Sequence, residues 1–254
     1  MNLFDLTGKV AIVTGSSRGI GRAIAEQLAA HGARVAISSR KAEACEAVVQ
    51  AIRERGGEAV AIPASISDKA GLQALVDGTR RAFGPIDVLV CNAASNPYFG
   101  PSGGISDEQF EKIMRNNVLS NHWLAQMVHP DMKARRDGAI IIVSSVGGLK
   151  GSTEIGVYGI SKAADMQLAR NLACEWGPDN IRVNCIAPGL IKTDFARALY
   201  EDPKRRAAAE ARFPLRRLGE PEDIAGIAVM LAGRAGAFIT GQSIVADGGA
   251  IIAG

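Results

Sequence analysis

Apolar runs rich in β-branched residues recur along the chain at positions 10–13, 34–38, 59–62, 88–90, 139–143, 182–186 and 243–246. Turn residues bound each run, and the apolar positions are consecutive rather than alternating, the pattern of strands covered on both faces. Between them, apolar residues return every three or four positions over 19–30, 41–55, 69–82, 107–135, 157–176 and 221–232. Several of these windows open on Ser or Asp and close near Gly, residues that cap helices. Strand and helix thus alternate almost without exception. Repeated βα units joined by right-handed crossovers predict an α/β fold, a doubly wound, seven-stranded parallel sheet with helices on both faces. No internal repeat or low-complexity linker interrupts the pattern, so residues 1–254 are expected to form a single domain. One long stretch, 189–217, carries neither a strand nor a core-helix pattern and is expected to be a flap over the substrate.

Composition narrows the partners. The hydrophobic fraction of 47% and charged fraction of 22% are those of an ordinary globular chain, and 29 glycines suit many tight turns between short elements. The 29 basic and 26 acidic residues are dispersed and leave a formal charge of +3, a balance that excludes a nucleic-acid footprint and a membrane-surface patch. No stretch has the length to span a bilayer, and the start lacks the charged and apolar regions of a secretory signal. Cys45, Cys91, Cys174 and Cys185 lie far apart, without a C-x-x-C pair or a histidine at ligand spacing. They are expected to be reduced core thiols of a cytoplasmic protein, with no metal site. His31, His122 and His129 make no H-x-x-x-H pair, and His31 falls at a helix end before Gly32, where a cation suits the dipole. The chain ends in Ile252-Ala253-Gly254, which is no peroxisomal address.

Directly after the first strand comes Thr14-Gly15-Ser16-Ser17-Arg18-Gly19-Ile20-Gly21, within which a helical pattern begins. Glycines let backbone turn sharply and approach a pyrophosphate, while the free N–H groups and dipole of the helix start favour its charge. The spacing is G-x-x-x-G-x-G rather than G-x-G-x-x-G, so the strand-turn-helix context carries the argument against a bland glycine-rich turn. About 20 positions on, at the end of the second strand, an acidic residue would bind ribose hydroxyls and favour NAD. This chain has Ser38-Ser39-Arg40 there. A carboxylate would repel a 2′-phosphate, whereas Arg40 offers it a planar fork, and Arg18 could add a second positive group. NADP(H) is therefore expected over NAD(H), unless Arg40 merely opens an exposed helix.

A second signal is Ser145, Tyr158 and Lys162, spaced S-x12-Y-x3-K. Residues four apart share a helix face, which sets the Lys162 ammonium beneath the Tyr158 phenol. Ser145 follows the strand at 139–143 and so falls at the carboxyl edge of a parallel sheet, where ligands bind. A free phenol titrates near ~10, so it exchanges protons at neutral pH only when a nearby cation stabilises the phenolate.

With these motifs in order, and with Asn92-Ala93-Ala94, Asn117 and Pro188-Gly189 between and after them, the chain resembles the short-chain dehydrogenase/reductase family over essentially its whole length. The resemblance implies a Rossmann-type fold whose cofactor-binding part spans about residues 1–145. It also implies a catalytic tetrad of Asn117, Ser145, Tyr158 and Lys162. Tyr158 would give a proton to the carbonyl oxygen as hydride reaches its carbon, Ser145 would hold that oxygen, and alcohol oxidation would run the path in reverse. Lys162 would also bond the nicotinamide ribose, and Asn117 would hold a water linking Lys162 to solvent. Asn116 adjoins Asn117, so that assignment rests on the alignment of Val118-Leu119-Ser120, and a local helix irregularity is the bland alternative. The cofactor would further meet Gly15, Ser17, Arg18, Gly19, Ile20, Gly21, Ser39, Arg40, Ser65, Ile66, Asn92, Ala93 and Tyr158, with Pro188, Gly189, Ile191 and Thr193 at its carboxamide end. The family often has Asn-Ala-Gly where this chain has Asn92-Ala93-Ala94, and an Asp near the adenine where it has Ser65-Ile66.

Around the expected nicotinamide site, Asn96-Pro97-Tyr98-Phe99, Leu149, Ile155 and the run 190–195 are largely apolar, which suits a hydrophobic ketone, aldehyde or secondary alcohol. The stretches at 39–41, 96–97 and 187–193 resemble those of NADPH-dependent carbonyl and retinal reductases. A rival is a 3-oxoacyl thioester reductase of acyl-carrier-protein or CoA substrates, with Arg205, Arg206 or Arg216 on the carrier phosphate. A third reading is an NADP(H)-binding sensor without turnover, which would need no intact tetrad. Apolar residues on more than one face of the helices at 107–135 and 157–176, among them Trp123, Met127, Met166 and Leu168, suggest a homodimer or homotetramer; the family resemblance implies the tetramer.

Overall fold

Every predicted apolar run becomes a strand, and every predicted helix window becomes helical. The computed structural model describes residues 2–253, with the side chains of Ala198 and Arg205 outside the description. The first half of the chain runs β1 (Val10–Thr14), α1 (Gly19–Ala30), β2 (Arg34–Ser38), α2 (Ala42–Glu54), β3 (Glu58–Ala61), α3 (Lys69–Phe83) and β4 (Val88–Cys91). Then follow α4 (Asp107–Met114), α5 (Ser120–Arg135), β5 (Gly138–Val143), α6 (Gly156–Trp176) and β6 (Ile181–Pro188). Last come α7 (Arg197–Tyr200), α8 (Pro203–Arg212), α9 (Pro221–Ala232) and β7 (Ser243–Ala246). The strands form one sheet in the order β3-β2-β1-β4-β5-β6-β7. Every pairing is parallel.

Two apolar layers sandwich the sheet, which is why β1 and β5 are buried at every residue. On one face Val13, Val35 and Ile141 meet Ile24, Leu28, Val48, Ile224 and Ala228 from α1, α2 and α9. On the other, Ile12, Leu89 and Ile140 meet Leu72, Leu124, Val128, Met166 and Leu172 from α3, α5 and α6. Met166 belongs to this core, and Trp123, Met127 and Leu168 pack partly buried against it. The apolar surplus read on these helices is thus used largely inside the protomer.

Two expectations need correcting and a third needs detail. The helix expected over 107–135 is interrupted by a π-helical turn at Arg115–Leu119. Side chains there serve carbonyls of the altered ladder: Ser120 Oγ donates to the Asn116 carbonyl at 2.6 Å, and Asn121 Nδ2 to that of Asn117 at 2.5 Å. The stretch 189–217 holds no strand and no core helix, as read, but it does hold a short 3-10 turn, α7 and α8. Its helix PKRRAAAEAR forms from strong helix formers while lacking the apolar stripe that marks a core helix. Cys174 is exposed on α6, whereas the other three thiols are buried as expected.

Candidate active site

In this strand order the chain leaves the neighbouring carboxyl ends of β1 and β4 toward opposite sides of the sheet, the switch point at which a crevice opens. The glycine loop turns here, with Gly15 and Gly19 at φ of 64° and 54°, in the left-handed region. Asn92, just past β4, clamps the loop: its Nδ2 donates to the carbonyls of Thr14 and Gly15 at 3.0 and 3.2 Å. Thr14 Oγ1 in return accepts from the N–H groups of Asn92 and Ala93, both at 3.1 Å. A Cβ on Gly21 would stand 2.4 Å from Asn92 Nδ2 and from the Gly15 carbonyl. Arg18 precedes α1 without a side-chain capping bond, leaving first-turn N–H groups for an anion. A tight backbone cradle with open donors at a helix start fits the pyrophosphate of a dinucleotide.

The other residues expected to hold a cofactor line up along the same edge. The Ala64 N–H donates to the Ser39 carbonyl at 3.1 Å, joining the loop of Ser39 and exposed Arg40 to that of Ser65 and Ile66. Gly189, after Pro188 ends β6, donates its N–H to the Ala246 carbonyl at 2.9 Å. Ile191 is buried and bridges Gly219, and the Thr193 methyl lies 3.1 Å from where a Cβ on Gly19 would stand. Asp194 Oδ2 is 3.4 Å from Arg18 Nη1, so the stretch 189–217 begins against the glycine loop.

The second cluster forms where β5 meets α6. Ser145 is extended, with φ of −169°, and its Oγ accepts the Gly147 N–H at 3.0 Å. The turn that follows presses on α6: a Cβ on Gly148 would come within 2.7 Å of Lys162 and Ala163 backbone. Ser144 Oγ donates to the Lys162 carbonyl at 2.8 Å. Tyr158 sits in the first turn of α6, its ring 6.2 Å from that of Phe195 in the short 3-10 turn after β6. The Lys162 Nζ lies 5.6 Å from the Tyr158 ring centroid, as the four-residue spacing predicts. Asn117 falls inside the π-helical turn, so the residue and the irregularity coincide. Its Oδ1 accepts the Ser95 N–H at 2.8 Å, while its Nδ2 donates to the Ser95 carbonyl and to Ser161 Oγ, both at 3.0 Å. Asn116 instead donates to Ser95 Oγ at 3.0 Å.

One partner of this cluster escaped the sequence reading. Lys162 has 2% of its side chain exposed, and its Nζ donates to the Val143 carbonyl and to Asp165 Oδ2, both at 3.0 Å. Asp165 is wholly buried, and its Oδ1 accepts from Asn121 Nδ2 at 2.9 Å. Burial, the largest influence, pushes the Lys162 ammonium down; the charges of Asp165 and Tyr158 and the hydrogen bond to Asp165 outweigh it, leaving Lys162 above the usual lysine value. Burial pushes the Asp165 carboxyl up, while Lys162 and Asn121 pull it partway back. Burial and then Asp165 also push up the neighbouring thiols, Cys91 and, to about 12, Cys185. A signal was present: Asp165 falls on the inward stripe of α6 with Met166, Ala169, Leu172 and Ala173, where a lone charge demands a partner.

Among the described residues no group of three or more His, Cys, Asp or Glu could hold a metal ion. No described helix is long and apolar enough to cross a membrane.

Residues 15–250 match a family model described as Enoyl-(Acyl carrier protein) reductase. The chain is 39% identical over 246 residues to Dehydrogenase/reductase SDR family member 4 of Bos taurus, an alignment covering 97% of this chain and 88% of that one. A gluconate 5-dehydrogenase from Burkholderia cenocepacia, solved with NADP and tartrate, superposes with a TM-score of 0.94 at 31% identity over 99% of this chain and 98% of that one. A 7α-hydroxysteroid dehydrogenase, solved with NADH and 7-oxo glycochenodeoxycholic acid, gives 0.94 at 36% over 98% and 97%.

Proposed function

The chain belongs to the short-chain dehydrogenase/reductase family, and within it we propose an NADP(H)-dependent oxidoreductase that interconverts a hydrophobic ketone or aldehyde with the corresponding alcohol. The observation that carries the reaction class is the buried, paired Lys162 ammonium 5.6 Å from the Tyr158 ring. A fixed cation beside a phenol stabilises the phenolate, so Tyr158 gives a proton to a substrate oxygen in reduction and takes it back in oxidation. Ser145, anchored by Gly147 at the end of β5, donates its hydroxyl to that oxygen. Asn117 secures the β4 loop against α6 at Ser161, the residue before Lys162. When bound, the nicotinamide supplies or accepts the hydride.

In this reading residues 1–145 hold most of the dinucleotide and 189–217 cover the substrate. Asn92 keeps the glycine loop in shape, and Arg40, exposed beyond β2, pairs with a 2′-phosphate. Related structures carry NADP in one case and NADH in another, so Arg40 is the ground for preferring NADP(H). Phe99, Leu149 and Phe195 expose about half their area each, at 52%, 45% and 53%, on loops following β4, β5 and β6. That apolar rim supports a hydrophobic substrate.

The rival thioester reading draws on the basic residues of the flap. Most of these are engaged: Arg206 pairs with Glu210, Arg216 donates to the Ala211 carbonyl, and Arg217 holds Asp223. The Arg205 side chain lies outside the described residues.

The test is a panel of ketones, aldehydes, alcohols and acyl thioesters followed by nicotinamide absorbance with both cofactors, on the parent and on Tyr158→Phe. Expected is NADPH-linked turnover of apolar carbonyls, lost by about a hundredfold or more in the variant while NADPH binding persists. A variant as active as the parent removes Tyr158 from the chemistry. An inert parent that binds NADPH favours the sensor.

A further inference from the structure

Lys162 is held in a place where a lone ammonium would not stay charged. Its side chain is 2% exposed, so water contributes little to solvating the charge, and Val143 offers only a neutral carbonyl. Among the described residues the one opposite charge in hydrogen-bond contact is Asp165, one helical turn further along α6. Asp165 is itself anchored from α5 by Asn121, whose Nδ2 also reaches the Asn117 carbonyl of the π-helical turn. The result is a closed chain from the Asn117 carbonyl through Asn121 and Asp165 to Lys162 and the end of β5. The other titratable groups facing it are Tyr158 on α6, Cys91 on β4 and Cys185 on β6, with Arg170 acting on Cys185 from further along α6.

We propose that Asp165, held by Asn121, is a positioning residue of this site: it keeps the Lys162 ammonium charged and fixed beneath Tyr158. The inference rests on the reading of Tyr158 and Lys162 as proton-transfer groups. A buried carboxylate this close to a buried ammonium is costly to keep and gains little stability over an apolar pair, so a task for the charge explains its presence better than folding does. The direction of the Lys162 titration agrees, since burial alone would lower it and Asp165 leads the influences that reverse this.

Asp165→Asn keeps the shape and an acceptor for Asn121 while deleting the charge. Without it Lys162 tends to neutral in the folded state, so alcohol oxidation at pH 7 should fall about tenfold or more and its rise with pH should move upward. A second readout needs no turnover. In the variant the unfolded chain binds a proton on Lys162 that the folded chain does not, so stability gains with pH up to the unfolded lysine value of about 10.4. The gap in thermal midpoint between parent and variant should therefore narrow from pH 7 to pH 10. A packing role alone would leave the gap flat and the rate profile unmoved, and either result overturns the proposal.

Lys162→Met with Asp165→Asn completes the cycle. If Asp165 acts through Lys162, the double variant is as slow as Lys162→Met alone, and losses that multiply overturn the idea. Should Asp165→Asn fail to fold, adding Lys162→Met must restore the fold, because the uncompensated ammonium is gone; a chain that stays unfolded counts against the proposal. An inactive Tyr158→Phe beside a parental Asp165→Asn removes only the role of Asp165. An active Tyr158→Phe removes the reading on which it rests.

Discussion

At Gly21 the glycine loop has no space for even a methyl group, because the Cβ would meet Asn92 Nδ2 and the Gly15 carbonyl at 2.4 Å. Asn92 cannot swing aside without releasing Thr14 and Gly15, so Gly21→Ala should pry the loop from β4. NADPH affinity is expected to weaken by about tenfold or more, about 1.4 kcal/mol, with unchanged far-UV circular dichroism; parental affinity in a fluorescence titration would show that the loop does not cradle the cofactor. Arg40→Asp tests the other end of the same site, where a like charge would meet the 2′-phosphate. The NADPH-to-NADH ratio of kcat/KM should fall by about tenfold or more, and an unmoved ratio removes Arg40 from the preference. Residues such as Gly15, Tyr158 and Lys162 were legible because their spacing repeats a physical requirement, a turn or a shared helix face. Asp165 was not, since a charge in a helix window reads as solvated until the fold shows which face is buried. Asn121 was hidden for a related reason: its partners are a carbonyl freed by the π-helical turn and a residue 44 positions away.

Between elements, the stretch 189–217 proposed to cover the substrate is held near both ends by charge. It starts at the exposed Arg18–Asp194 contact and closes where Arg217 reaches both oxygens of Asp223 in the first turn of α9, at 2.6 and 2.9 Å. Asp223 also accepts the Glu220 N–H at 2.8 Å as part of the α9 capping box. The Arg217 hydrogen bond, then that of Glu220, lowers the Asp223 carboxyl from 3.8 to about 2. Because the folded value is depressed, the stability this pair adds is complete above about pH 3.9, fades as the pH falls toward 2, and is gone below it. Both groups are largely solvent-exposed, so the contribution at neutral pH is small. Arg217→Ala should accordingly lower the thermal midpoint slightly at pH 7 and by progressively less as the pH falls toward 2. A difference that stays constant from pH 7 to pH 2 would mean that Arg217 acts by packing. The elements themselves were readable from apolar periodicity, which holds wherever an element packs on the sheet. It failed for α8, which packs on little, and for the turn at Arg115–Leu119, because one extra residue in a helical turn leaves the surrounding apolar pattern nearly intact.

At the scale of the whole molecule, the parallel order follows from strict βα alternation, and its two edges are unequal. The sheet ends at β3 on one side, which begins with the exposed Glu58, and at β7 on the other. Beyond β7 no strand pairs among the described residues, and the chain around it is apolar: Phe238 is fully exposed, Ile252 is 85% exposed and Val245, in β7 itself, 38%. An open edge with exposed large apolar side chains invites pairing, and a charged residue at its rim is what ordinarily prevents it. The earlier ground for self-association, apolar residues of α5 and α6, is weakened now that Met166 is buried in the protomer core and Trp123, Met127 and Leu168 pack against it. The β7 edge is the stronger reason to expect a homodimer or homotetramer, since a two-fold pairing of identical edges buries the same residues twice. Phe238→Glu should then reduce the mass measured by light scattering at micromolar concentration, with Tyr158-dependent chemistry altered only as far as assembly supports the flap. A parent that is monomeric, or a variant of unchanged mass, would mean that this edge stays solvated and that Phe238 is tolerated there singly.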